Sequence, residues 1–149
     1  MTRLALFLLL VLLASCSFFD KMRKSSFTYP GPGGQNTVEL LVPSGYTKKQ
    51  TSTDSAGNLE QLYHYRGGSI LYVSYLEDTT KRYQFLDTAL HVPRQLSNGA
   101  LIYKGMHPQW QVWKEARLGR FRIGYHFVSV DNEGRFDSAV NYSALQFKR

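Results

Sequence analysis

Few of the 149 residues have side chains suited to chemistry at a reactive centre. There is one cysteine, Cys16, and there are four histidines, His64, His91, His107 and His126. A single thiol excludes an internal disulfide and any Cys-cluster metal site. Nucleophilic catalysis needs a Ser or Cys beside a His that a carboxylate orients. No Gly-x-Ser-x-Gly elbow occurs, and Ser44-Gly45 follows Pro43 in what reads as a plain turn. The histidines show no His-x-His or His-x-x-x-His spacing, so a metal site would have to draw its ligands from separate strands. Glu77-Asp78 are adjacent, which on a strand sends the carboxylates to opposite faces. Asp131-Asn132-Glu133-Gly134 lacks the alternating oxygen ligands of a calcium loop and reads as a turn with a helix cap. Gly33-Gly34 and Gly67-Gly68 read as a linker and a turn, not as phosphate cradles. No catalytic residue, metal or cofactor is expected.

The remaining set is Trp113, Glu115, Arg122 and His126, with Arg117 and Arg120 beside them. Flat rings and forked guanidinium donors bind with little loss of entropy, so such a set suits recognition of a glycan, a peptide or another protein. The plain alternative is a solvated sheet face with Trp113 under a loop. A rival reading makes the chain a hydrolase, with His64 or His126 and a carboxylate as the acid–base pair.

Cys16 sits in a more specific context. Arg3 provides a positive start, and Leu4–Leu13 is an unbroken apolar run of ten residues. As a helix that run spans about 15 Å, half of a ~30 Å hydrocarbon core, so it can engage an export channel but not span a bilayer. It ends in Leu13-Ala14-Ser15-Cys16. This tetrapeptide resembles the lipobox of bacterial lipoproteins, an aliphatic residue and two small ones before the Cys. The resemblance implies a signal peptide over residues 1–15, cleavage before Cys16, and diacylglyceryl and palmitate-type acylation of Cys16. The small residues admit a peptidase, and the thiolate is a good acceptor for a lipid. At about 0.8 kcal/mol per buried methylene, two or three chains hold a protein firmly at a membrane. Ser17 in place of Asp implies transfer to the outer membrane of a Gram-negative cell. There the recognition set would meet a glycan, a peptidoglycan stem or another envelope protein, and the rival reading becomes a periplasmic hydrolase of envelope polymers.

Residues 16–35 read as the lipidated Cys and a flexible tether, ended by Pro30-Gly31-Pro32-Gly33-Gly34. Nineteen tether residues would reach roughly 25 Å. Lys21, Arg23 and Lys24 would lie near the headgroups, where each gains about 1 kcal/mol, or would simply keep the tether solvated.

Residues 36–149 read as one β-rich domain. Short runs rich in Val, Ile, Tyr, Phe and Trp alternate with turn residues. Strands are expected over Thr37–Val42, Tyr46–Ser52, Leu59–Arg66 and Ser69–Leu76, the last two joined at Gly67-Gly68 as a two-residue hairpin with Tyr63 opposite Tyr72. Residues 77–98 are hard to read; Phe85–Leu90 suits a helical turn or a short strand. Ala100–Lys104, Trp110–Arg117 and Arg120–Val130 suggest a meander. With its turn at Leu118-Gly119, Glu115 faces Arg122 and Trp113 shares the polar side with His126. Phe136, Ala139, Val140, Ser143 and Phe147 form a helical stripe. They predict a helix over Glu133–Tyr142, capped by Asp131 or Asn132, with a short final strand over Ala144–Phe147. The expected fold class is α+β and β-dominated, an antiparallel sheet of hairpins and a meander with a C-terminal helix packed on it.

Val42-Pro43-Ser44-Gly45-Tyr46, Gly124-Tyr125 and Phe136-Asp137-Ser138-Ala139-Val140 with Leu145-Gln146-Phe147 resemble motifs of the PsbP-like α+β fold, in the outer thirds of the domain. That resemblance implies a non-catalytic binding or assembly module. The net charge of +7 becomes +6 without residues 1–15, where Arg3 is the only charge. This suits an anionic surface and gives no footprint for nucleic acid.

Overall fold

The computed structural model describes residues 22–31, 33–79 and 91–148. The Leu4–Leu13 run, Cys16, Ser17 and Phe85–Leu90 lie outside the described residues. Among the described residues, nine strands and one helix follow in chain order: β1 Met22–Gly31, β2 Gly34–Pro43, β3 Tyr46–Thr53, β4 Leu59–Tyr65, β5 Ile70–Tyr75, β6 Arg94–Gln95, β7 Leu101–His107, β8 Gln111–Leu118, β9 Phe121–Ser129 and α1 Glu133–Gln146. β3 to β9 form an antiparallel sheet of order β3-β4-β5-β9-β8-β7-β6, while β1 and β2 pair separately.

The hairpin and α1 make a second layer over one face of that sheet. Val38, Leu40 and Val42 of β2 meet Tyr63, Leu71, Val73, Ile123 and Tyr125 of the sheet, and α1 adds Phe136, Ala139, Val140 and Ala144. β2 does not leave a bare edge beside the helix. Ser143 Oγ accepts from the Leu41 amide at 3.0 Å and donates to the Leu41 carbonyl at 3.4 Å, which satisfies backbone groups an edge strand would expose.

The strands define two ends of the molecule. His107 pairs with Gln111 and Gln111 with Ser129, while His64 pairs with Ile70 and Ile70 with His126. The short turns Arg66–Gly68, Pro108–Trp110 and Val130–Asn132 therefore share one end, the Trp110 end. β1 starts there too. Met22 pairs with Pro43, whose carbonyl accepts from Tyr65 Oη at 2.8 Å. Gly119-Arg120 and the Gly31 to Gly34 turn mark the opposite end, the Gly119 end.

Four expectations need correction. Residues 22–31, expected to be tether, form a full strand, and Phe27 within it is 1% exposed. Inward-facing Ser25 bonds Tyr63 Oη at 2.6 Å, and Gln61 Nε2 donates to the Ser26 carbonyl at 3.2 Å, so the strand is held by polar contacts as well as by Phe27. The β4 to β5 turn has three residues, not two: the Tyr65 amide bonds the Ser69 carbonyl at 2.9 Å, and Tyr63 pairs with Leu71. That one-residue slip exchanges the faces of β5, putting Leu71 and Val73 in the core and Tyr72 outside it. The β8 to β9 turn is Gly119-Arg120, so Glu115 faces Gly124 and Arg122 faces Arg117. Finally, α1 continues to Gln146 and occupies most of the expected final strand, because Ser143 and Ala144 extend its buried stripe. Asn98 Nδ2 donates to the Ala144 and Phe147 carbonyls at 2.8 and 3.3 Å, satisfying groups at the helix end. At the other end Asn132 occupies the cap position without a side-chain cap bond; its amide donates to Ser129 Oγ and its carbonyl oxygen accepts from Arg135.

Candidate functional site

Alternation along β8 sends Trp113, Glu115 and Arg117 to the sheet face away from α1, and alternation along β9 sends Arg122, Gly124 and His126 there. The structure thus brings Trp113, Glu115, Arg122 and His126 onto one face. It also buries them: none is more than 8% exposed. Tyr72 and Trp113 pack with Leu62 and Tyr103 as a second apolar cluster.

Two glycines inside strands make that packing possible. Gly124 lies between Tyr72 on β5 and Glu115 on β8, and any Cβ there would collide with the Tyr72 hydroxyl. The phenol crosses this gap and donates to Glu115 Oε2 at 2.7 Å. Gly105, opposite Trp113, lies under the indole; a Cβ would come within 2.6 Å of it. Glycine inside a strand is the sequence sign of such a close approach. Arg117 Nε donates to the other Glu115 oxygen at 2.5 Å while its guanidinium lies 4.5 Å from the Tyr103 ring. Arg122 Nη1 donates to the Gly119 and Phe121 carbonyls, each at 2.7 Å. Its charge is spent on turn geometry within the protein. Burial lowers its pKa, and nearby Glu115 opposes that.

His126 is pushed down to about 4 by burial and, further, by the nearby imidazoles of His107 and His64. A carboxylate partner, as an acid–base pair needs, would act in the opposite direction. Burial also lowers His107. Among the described residues, no three His, Cys, Asp or Glu side chains are placed to hold a metal ion.

A polar cluster missed by sequence reading lies on the helix side. Lys114 falls on the inward period of β8 between Val112 and Ala116, so a cation enters the layer interface. Its ammonium sits 3.1 Å from Asp137 Oδ1, which also accepts from Tyr125 Oη at 2.7 Å. Lys104 lies 3.5 Å from Asp137 Oδ2 and pairs with Glu133. Burial lowers Lys114, with Asp137 pulling the other way. Burial tends to raise Asp137, but the Tyr125 hydroxyl and the two lysines outweigh it and hold the carboxyl below its ordinary range. Burial first, then Asp137, raises Tyr125 far enough to keep it a proton donor. Lys104, Lys114 and Asp137 line a cavity of about 470 Å³ with Arg94, Leu96 and Ile102. Lys104 and Lys114 already neutralise acids there, which favours a structural role for both. The legible signal was Lys114 at an inward position with Asp137 four residues after Glu133.

The larger recess, about 790 Å³, opens at the Gly119 end between the β1–β2 hairpin and the sheet. Tyr29, Asn36, Tyr75, Arg120, Phe121 and Lys148 line it. Tyr29 stacks on Tyr75 at 5.2 Å and meets the edge of Phe121 at 4.6 Å, so the aromatic wall is rigid. Arg120 lies 5.8 Å from the Tyr75 ring and pairs with Glu77. Rigid aromatic faces with hydrogen-bonding tips, with Lys148 beside them, suit a sugar ring or an extended peptide that carries an acidic group, while Arg120 is already paired with Glu77. Sequence reading could not find this recess, because Tyr29, Pro30 and Gly31 in its wall come from the stretch read as tether.

No protein-family model, curated protein or solved structure matches this chain.

Proposed function

We propose that this chain is a lipid-anchored protein of the bacterial envelope, acylated at Cys16 and held at the outer membrane, whose domain is a non-catalytic binding or assembly module. The lipobox-like Leu13-Ala14-Ser15-Cys16 supports the anchor. The aromatic recess at the Gly119 end is the observation that carries the binding role: it combines Tyr29, Tyr75 and Phe121 with Arg120 and Lys148 in about 790 Å³. Its partner is an envelope glycan or an envelope protein segment, with an acidic group drawn to Lys148 and a flat or apolar part laid on the rings. Anchoring confines the module to a surface, so a modest intrinsic affinity suffices. The resemblance to the PsbP-like fold agrees with a module that binds and does not catalyse.

The experiment has two arms. Fatty-acid labelling of growing cells should mark the wild-type chain and be lost in Cys16→Ala; retained label would remove the anchor. Crosslinked capture from intact envelopes should recover a partner that Tyr29→Ala and Arg120→Ala lose while the domain stays folded. Equal recovery by both variants would remove the recess as the binding site. Trp113→Ala and Arg122→Ala are poor probes of binding, because both residues are buried in the fold.

A further inference from the structure

We propose that the Trp110 end of the domain docks on the bilayer surface, with Trp110 seated among the lipid headgroups. This inference rests on the anchor at Cys16 and specifies how the anchored domain stands. The chain length between anchor and domain carries it. Met22, the first residue of β1, lies six positions after Cys16 and starts at the Trp110 end. Six residues span at most about 20 Å when fully extended. A nine-residue strand such as β9 is itself roughly 30 Å long. The linker is therefore too short to run the length of the molecule and bring the Gly119 end to the membrane. The end where β1 begins is thereby held within about 20 Å of the lipid.

That end has the side chains a bilayer interface receives. Trp110 is 76% exposed at the tip of the β7–β8 connection, with Met106 at 55% beside the same turn and Val130 at 47% just beyond β9. Gln109 and Trp110 both hold positive φ, 71° and 59°, so the turn places a bulky indole in a conformation that favours glycine and points it out of the fold. Indole rings concentrate at the headgroup level, where an apolar body and a polar N–H are both satisfied. Arg23, Lys48 and Arg66 are exposed toward this end and outnumber exposed Asp131, which favours an anionic surface. The aromatic recess then faces away from the membrane, toward the compartment where a partner lies.

The test uses the acylated full chain, reconstituted into phosphatidylethanolamine–phosphatidylglycerol vesicles with and without brominated acyl chains. The protein has two tryptophans, and Trp113 is buried, so it serves as an internal reference. Brominated lipid should quench a component of wild-type emission that is missing in Trp110→Phe. Vesicles should also shield that component from acrylamide. Mass spectrometry of the same sample reports acylation, so an unmodified Cys16 refutes the anchor and is recognised separately. An acylated, vesicle-bound chain whose wild-type and Trp110→Phe forms are quenched equally would overturn the docking. Shielding from acrylamide without quenching by brominated lipid would place a second protein on the tip and would also overturn it.

Discussion

His126 offers a quantitative test of how the sheet's far face is built. Its imidazole is buried on β9, with His64 two strands away through Ile70 and with His107 at the end of β7. Burial and these two neighbours hold its pKa at about 4. In the unfolded chain the imidazole titrates near the ordinary value of about 6.5. As pH falls below 6.5, the unfolded state takes up a proton that the folded state refuses until about 4. Stability is therefore lost on acidification through that window and is intact above it. Between pH 7.5 and 4.5 the loss from this one group is about 2.5 kcal/mol. Urea denaturation at the two pH values measures it, and His126→Gln is the perturbation. Other groups titrate as well, so the informative quantity is the difference between wild type and variant in the stability each loses. That difference should be about 2 to 3 kcal/mol. His107→Gln should move the His126 resonance titration upward, because one repelling charge is gone. Equal acid losses in wild type and His126→Gln would refute the burial of this imidazole and the far-face packing derived from it.

Three further outcomes follow from other contacts. Gly105→Ala should destabilise by about 1 to 3 kcal/mol through collision with the Trp113 indole; in a Trp113→Leu background the penalty should vanish, and additive effects in denaturant midpoints would count against the stacking. Asp137→Asn leaves Lys114 and Lys104 without their shared acid and should cost about 3 kcal/mol, with much of it regained in the Lys114→Met double variant; thermal melts that rank the double variant below the single one would contradict this. Phe27→Ala should cost about 3 to 5 kcal/mol if residues 22–31 belong to the core; a change under about 0.5 kcal/mol, normal for a surface position, would return them to tether status.

The legible parts of the fold were those where side-chain period and burial agree. Phe121, Ile123 and Tyr125 alternate with Arg122 and Gly124, and β9 sits at the centre of the sheet with just those faces until Phe127, at φ 56°, turns Val128 inward instead. The stripe Phe136, Ala139, Val140 and Ser143 likewise gave the helix and its buried side. β1 was illegible because its inward positions include Ser25 beside Phe27 and Tyr29, and a hydroxyl that satisfies Tyr63 does not register as apolar periodicity. The expected pairing of Tyr63 with Tyr72 fails for a different reason. Arg66 joins Gly67 and Gly68 in the turn, and a sequence with two adjacent glycines does not reveal whether the turn holds two residues or three. One residue then decides whether Tyr72 lies in the core or reaches Glu115.

The same slip explains why the expected recognition patch became an interior. Trp113, Glu115, Arg122 and His126 do share a face, and on their residue types alone that face suits binding. What sequence types omit is the competition for those groups. Tyr72, brought over by the corrected register, takes one Glu115 oxygen and Arg117 takes the other, while the Gly119 and Phe121 carbonyls take Arg122. Each such bond lowers what the group can offer a ligand, because a ligand must first break it. At the Gly119 end the balance differs. The half-buried Tyr29 and Tyr75 rings stack on each other and are braced by the buried Phe121, and a planar ligand adds to that stack without displacing a partner. Binding belongs where completing the contacts needs an additional molecule, and by that criterion the recess bounded by the strand first read as tether is the better candidate.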